Sequence, residues 1–148
     1  MNDRYLFKAK RVDNGEWVIG NLITNVFFRL GQSIPYILCP DKAEYDCFED
    51  FTEENGIFEV RPNTICQCTG LRDKNGKLIW ENDICDRKEE YPEIVKYNNG
   101  DWTLDYSYSK GKESGYCYCN LGFYALERKC VEVISNIFDN PELLESEE

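Results

Sequence analysis

The stretch 64–86, TICQCTGLRDKNGKLIWENDICD, constrains the fold of this chain more than any other. Asn75-Gly76 lies at its centre, between two short runs with strand character. Asn and Gly both tolerate the positive φ that a tight reversal requires, so the pair predicts a type I′ turn. That turn joins a strand over 64–69 to a strand over 77–80. Side chains alternate across a pleat, which puts Thr64, Cys66 and Cys68 on one face and Ile65, Gln67 and Thr69 on the other. Gly70 and Leu71 read as leaving the strand. Glu81-Asn82-Asp83 predicts a second polar reversal into a strand beginning at Ile84. A phosphate-cradling loop needs a GxxxxGK[ST] frame, and none surrounds Asn75-Gly76.

The same pattern recurs along the chain. In Arg4-Tyr5-Leu6-Phe7-Lys8-Ala9-Lys10, Tyr5, Phe7 and Ala9 alternate with Arg4, Leu6, Lys8 and Lys10. Asn14-Gly15 then predicts a reversal into a strand over 17–23, with the Trp17 ring in the core. Short strands are expected on either side of Gly31-Gln32-Ser33. Residues 40–56 are acidic and irregular, with Tyr45, Phe48 and Phe51 at helix-like spacing. Their seven acids do not match the frame of a calcium loop, so they read as solvated surface. A strand over 57–60 follows. Residues 87–92 read as a charged loop, and strands over 93–97 and 102–106 flank a reversal at Asn99-Gly100. Residues 107–118 are polar and rich in Tyr. A strand or short helix is expected over 123–129 and a last strand over 130–138. The order of short strands and tight turns predicts a mainly β, antiparallel protein with little helix and a bent barrel of SH3 type. One compact β domain over 1–138, or two joined subdomains, would precede an acidic tail at 139–148.

Composition narrows the function. With 42% hydrophobic and 14% aromatic residues in 148, the chain can build a core. No apolar run reaches the roughly 20 residues of a membrane-spanning helix. The start, MNDRYLFKAK, has no apolar leader stretch, so the expected compartment is the cytoplasm. A net charge of −11 opposes direct nucleic-acid binding, which draws affinity from Lys and Arg on phosphates. Arg4, Lys8 and Lys10 share a strand face that reads as solvated surface.

The chain has 8 Cys and no His. A reducing compartment keeps the thiols free. Cys66, Cys68, Cys117 and Cys119 form two Cys-x-Cys pairs, and four thiolates can hold zinc. On a strand, however, such a pair separates its Cα atoms by about 7 Å, wider than a zinc knuckle. Buried strand cysteines are therefore the preferred reading, and no cofactor is expected. Without His, a Ser or Cys nucleophile lacks its usual base. Nothing in the spacing of the 28 acids selects a catalytic carboxylate pair.

The run Thr69-Gly70-Leu71-Arg72-Asp73-Lys74-Asn75-Gly76-Lys77, then Trp80 and Glu81-Asn82-Asp83-Ile84, resembles the signature of the YopX family of small phage and prophage proteins. The basic, aromatic start, Trp17-Val18-Ile19-Gly20, and the ending Val131-Glu132-Val133-Ile134-Ser135-Asn136-Ile137-Phe138-Asp139-Asn140-Pro141-Glu142-Leu143 are similar to the family's. Two positions depart from it: Asn82 and Ser135 stand where the family has Gly. Asn tolerates a left-handed turn; Ser leaves close backbone approach less assured. The resemblance implies an SH3-like barrel component, centred here on 64–106 with the strand at 130–138. It also implies a phage or prophage origin and no established activity. Thr69, Gly70, Leu71, Asp73, Asn75, Gly76 and Asp83 then read as structural.

The functional expectation is a non-enzymatic accessory protein acting in the cytoplasm of a bacterial host and binding a protein partner. The aromatics Tyr97, Trp102, Tyr106 and Tyr108 are the surface expected to bind it. Unpaired strand edges also leave pairing between copies open. An acidic mimic of nucleic acid that occupies a host DNA-binding protein is the alternative, and an enzyme the third reading.

Overall fold

The computed structural model describes residues 3–39, 56–109 and 118–145. It is mainly β and antiparallel with little helix, as expected. Contacts divide the chain into two compact units, Met1–Gln67 and Cys68–Glu148. The expected helix-like spacing of Tyr45, Phe48 and Phe51 lies outside the described residues, as do Cys47 and Cys117.

In the first unit, β1 (Phe7–Lys10), β2 (Trp17–Arg29), β3 (Gln32–Leu38) and β4 (Ile57–Glu59) pair in the order β4-β3-β2-β1. On its other side β1 pairs with the first residues of β5 (Cys66–Arg72), Phe7 opposite Gln67 and Lys8 opposite Cys66. Alternation sends Ala9, Val18, Ile37, Phe58 and Val60 into one apolar cluster with Cys39. Gly20 lies in β2 where backbones meet. A Cβ built there falls 1.9 Å from the Leu38 carbonyl oxygen, so the Trp17-x-x-Gly20 spacing reflects a site where only Gly fits.

Four expectations are corrected in this unit. The strand beginning at Trp17 runs to Arg29, through a register shift between Ile23 and Phe27 where Asn25 takes φ 60°. The bulge absorbs one break in pairing and lets the ladder resume. The reversal falls at Leu30-Gly31, with φ of 51° and 79°, and not at Gly31-Gln32-Ser33. Trp17 is half-buried, and its ring is covered by the ammonium groups of Lys8 at 4.7 Å and Lys10 at 5.4 Å. The basic face of β1 thus lies over an aromatic ring; Arg4 belongs to a short helical turn, Asp3–Tyr5, ahead of it.

In the second unit the later part of β5 pairs with β6 (Leu78–Trp80). The strands β7 (Asp83–Asp86), β8 (Glu93–Asn98), β9 (Asp101–Asp105), β10 (Tyr118–Asn120) and β11 (Glu132–Asn136) form a sheet ordered β10-β9-β8-β7-β11. Ile79, Cys85, Val95, Leu104, Leu121, Ala125 and Val131 make its core. The β8–β9 hairpin reverses at Asn99-Gly100 as expected, and the turn is type I′, with Asn99 at φ 52° and Gly100 at φ 85°. Gly70 and Leu71 do not leave β5: the strand continues to Arg72 through a bulge at Gly70, φ 78°. The expected strand or helix over 123–129 is a wide helical turn at Phe123–Glu127, whose Arg128 N–H reaches back to the Phe123 carbonyl at 3.1 Å.

The expected barrel is not closed. No ladder joins β10 to β11 among the described residues. The reason is local: β10 has 3 residues and gives way at once to the helical turn, and β11 is interrupted by a shift between Val133 and Ser135. Among the described residues no helix is long and apolar enough to cross a membrane.

Gly20→Ala places a methyl group inside the Leu38 carbonyl, so β2 and β3 must separate. The expected loss is about 3 kcal/mol of stability, read from urea unfolding, against about 1 kcal/mol for Gly31→Ala, which meets no steric neighbour and pays only the strain of its positive φ.

Candidate functional site

The signature residues are brought together by hydrogen bonds to the backbone. Asp73 is buried, and its Oδ1 accepts the N–H groups of Asn75 and Lys77, each at 2.9 Å. Its Oδ2 accepts the Val133 N–H at 3.0 Å, from β11. The Lys74 N–H donates to the Val131 carbonyl at 2.9 Å. These bonds select the turn. Only Gly76 takes positive φ, 83°, and its N–H donates to the Asp73 carbonyl at 3.0 Å. The type I′ expectation at Asn75-Gly76 is therefore corrected to a type I reversal ending in a left-handed Gly. A carboxylate two residues upstream, accepting from the turn, decided its geometry.

The other signature residues act in the same way. Thr69 Oγ1 donates to the Ile79 carbonyl at 2.7 Å and accepts the Leu71 N–H at 3.1 Å, which spans the bulge at Gly70. Leu71 packs against the core. Asp83 is buried, and its Oδ2 accepts the Trp80 N–H at 2.8 Å, closing the turn in which Asn82 takes φ 69°. Asn82 thus does what a Gly would do there. Ser135 stands beside the bulge of β11, bonded through its Oγ to Asn140 Oδ1.

Burial raises the Asp73 pKa, but the N–H groups of Val133, Lys77 and Asn75 and the charge of Lys77 outweigh it and hold the carboxyl below 3.8. The folded value lies below the unfolded one. Its contribution is then present above about pH 4 and fades as pH falls through the folded value. Asp73→Ala should lose about 3 kcal/mol at neutral pH, since three donors lose their acceptor. Asp73→Asn should flatten the acid limb of the stability–pH curve, measured by denaturant unfolding between about pH 3 and 7.

The four aromatics expected to share one surface are split. Tyr97 and Trp102 are directly opposite on β8 and β9, their rings edge-to-face at 5.1 Å, with Tyr97 58% exposed. Tyr106 lies four residues further along, about 13 Å by strand rise. It lines a separate cavity. The Tyr108 hydroxyl donates to the Pro92 carbonyl at 2.5 Å and anchors the end of β9 to the 87–92 loop.

That cavity, about 250 Å³, is lined by Arg87, Glu89, Glu90, Tyr91, Glu93 and Tyr106. Arg87 is its pivot. Its Nε donates to Glu93 Oε1 at 2.5 Å, its Nη1 to Glu89 Oε1 at 3.1 Å, and its Nη2 to the Cys119 Sγ at 3.2 Å. The guanidinium also lies 4.2 Å from the Tyr124 ring centroid. Glu93 is only 2% exposed. Burial pushes its pKa up; the Arg87 hydrogen bond and charge pull against that, and Glu89 and Asp105 add to the rise. Burial likewise lifts the Cys119 thiol, against the charge of Arg87.

Sequence reasoning placed Arg87 in a charged loop and Glu93 at the start of a strand, and singled out neither. The missed signal was parity: Glu93 and Val95 share a strand face, and Val95 faces the core. Cys66 and Cys68 are buried in β5, and the Cys66 thiol donates to the Thr64 carbonyl at 3.2 Å. Among the described residues no group of three or more metal-ligating side chains comes together.

Arg87→Met leaves Glu93 buried beside other acids. Glu93 already has a folded pKa above 4.5, so ionising it opposes folding as pH rises, and the variant removes its counter-charge. The expected loss is about 3 kcal/mol near pH 8, shrinking toward pH 4, where Glu93 is protonated. Urea midpoints at the two pH values check this.

A family model described as YopX protein matches residues 7–145. No curated protein matches the sequence.

Proposed function

The chain belongs to the YopX family, and from that premise we propose that it is a non-catalytic, phage- or prophage-encoded accessory protein that holds a basic segment of a protein partner in the host cytoplasm. The observation that carries this reading is the cavity of the second unit. Its lining has Glu89, Glu90 and Glu93 against one cation, Arg87, and two tyrosines, Tyr91 and Tyr106. Arg87 is engaged by Glu93 and Glu89, so the lining retains an excess of negative charge. A Lys or Arg side chain entering it would meet carboxylates at its charged end and aromatic rings along its stem. The −11 net charge would steer a basic partner toward the surface.

Two observations favour contact over chemistry. Glu93, the acid with a raised pKa, has its Oε1 and Oε2 turned to Arg87 at 2.5 and 3.5 Å, so it is held as an ion pair. The chain has no His to serve as a neutral-pH base. The nucleic-acid mimic is less well supported: Asp73, Asp83, Glu93 and Asp105 are buried, where they cannot imitate a phosphate row.

Fluorescence anisotropy with labelled Lys/Arg-rich, neutral and Glu-rich peptides tests the reading. Basic peptides should bind, with affinity falling as salt rises. Glu89→Gln/Glu90→Gln and Tyr106→Ala should each weaken binding about tenfold. Equal affinity for all three peptide classes would rule the reading out.

A further inference from the structure

The chain has four Asn-Gly steps, at Asn14, Asn55, Asn75 and Asn99. Asn55 lies outside the described residues. Such a step is a chemical weak point as well as a turn. Glycine carries no Cβ to shield its backbone nitrogen, so that nitrogen can approach the side-chain carbonyl carbon of the Asn before it. Asn is among the thermolabile residues. Whether the approach occurs depends on what else holds the two groups, and here the three described steps differ.

At Asn75 both groups are held. The Gly76 N–H donates to the Asp73 carbonyl at 3.0 Å, and the Asp73 carboxylate accepts the N–H groups on either side of it, from Asn75 and Lys77. The Asn75 Nδ2 donates to Glu132 Oε1 at 3.5 Å. At Asn14 the Gly15 N–H donates to the Arg11 carbonyl at 3.0 Å, and the Asn14 Oδ1 accepts the Glu16 N–H at 2.9 Å. At Asn99 no hydrogen bond holds either group among the described residues. The Asn98–Asp101 pair closes the two-residue loop, and the Gly100 N–H lies outside that ladder. Asn99 and Gly100 are both exposed. A Cβ built at Gly100 meets no atom within 4 Å, but the same is true at Gly76, so hydrogen bonds and not space distinguish the two turns. Rotating Asn99 into line breaks only the pair that closes its loop. Rotating Asn75 breaks bonds to an ionised acceptor, which are the stronger kind.

We propose that Asn99 is a site of spontaneous deamidation, and that the fold protects Asn14 and Asn75 from the same reaction. The Gly100 nitrogen gives its proton to hydroxide and bonds to the Asn99 Cγ. The Cγ–Nδ2 bond breaks, and the side-chain nitrogen takes a proton from water and leaves as ammonia. Water then opens the cyclic imide at either carbonyl. One opening leaves aspartate; the other leaves isoaspartate, with the backbone routed through the former side chain. Both products add a negative charge beside Asp101, at the tip of the hairpin that carries the Tyr97–Trp102 pair. Isoaspartate also lengthens a loop whose length sets the β8–β9 register. The reaction needs no partner and does not involve the cavity at Arg87 and Glu93.

Mass-spectrometric peptide mapping of the full chain, sampled over days at mildly alkaline pH, tests it. In the folded protein Asn99 should convert at least about tenfold faster than Asn14 or Asn75, the difference between breaking one bond and several. In guanidinium chloride the three rates should converge to within about threefold, because the turns that set them apart are gone. Asp73→Ala removes the acceptor that holds the 75–77 turn. With its fold checked by circular dichroism, it should speed Asn75 at least about fivefold and leave Asn99 unchanged. The proposal is overturned if Asn99 stays intact in the folded chain, or if Asn14 or Asn75 converts as fast. It is also overturned if the folded order of rates persists in guanidinium chloride, or if a folded Asp73→Ala chain leaves Asn75 as slow as before.

Discussion

The second unit depends on one carboxylate. Asp73 accepts backbone N–H groups from its own turn and from β11, residues 60 apart in sequence. A local reversal and a long-range strand are thereby fixed by the same group. Such bonds to an ionised acceptor are stronger than neutral ones, and in a buried site their loss would leave donors without water. Thr69 and Asp83 repeat the device at the bulge and at the next turn. The family signature is thus a set of side chains that satisfy backbone groups where the sheet is irregular. That accounts for Asp, Thr, Asn and Gly in the run without calling on catalysis.

Much of the fold was legible because strand parity and turn chemistry are local. Asn99-Gly100 turns where the sequence puts it, as a two-residue loop between the paired Asn98 and Asp101. Asn75-Gly76 gave a turn of the wrong type, because the deciding acceptor was Asp73 and its second partner lay on β11. The long β2 was hidden by Asn25, whose left-handed residue reads as a stop in sequence but acts as a bulge. Closure of the barrel was not legible, because it depends on where β10 yields to a helical turn, and Leu121 and Ala125 suit either state. At the candidate sites, Tyr97 and Trp102 could be paired from register, but the cavity could not be read. Arg87 and Glu93 look like surface charges until β8 is known to turn Glu93 inward.

The two units differ in the chemistry they leave unburied. In the first unit the distal part of the β2–β3 hairpin packs Phe27 on Tyr36 and leaves Val26, Phe28 and Leu30 exposed. In the second, the loop between β7 and β8 carries acids over a recess whose cation is already engaged. An acidic, aromatic recess suits a partner of opposite charge.

Arg87 connects more than its own loop. Besides Glu89 of that loop, it holds Glu93, Cys119 and Tyr124, on β8, β10 and the helical turn. None of these can swing away without breaking a bond held by that one guanidinium. Transient opening in this region is therefore a collective event, and the amides of β8 and β10 should trade protons for deuterons on a common clock instead of fraying strand by strand.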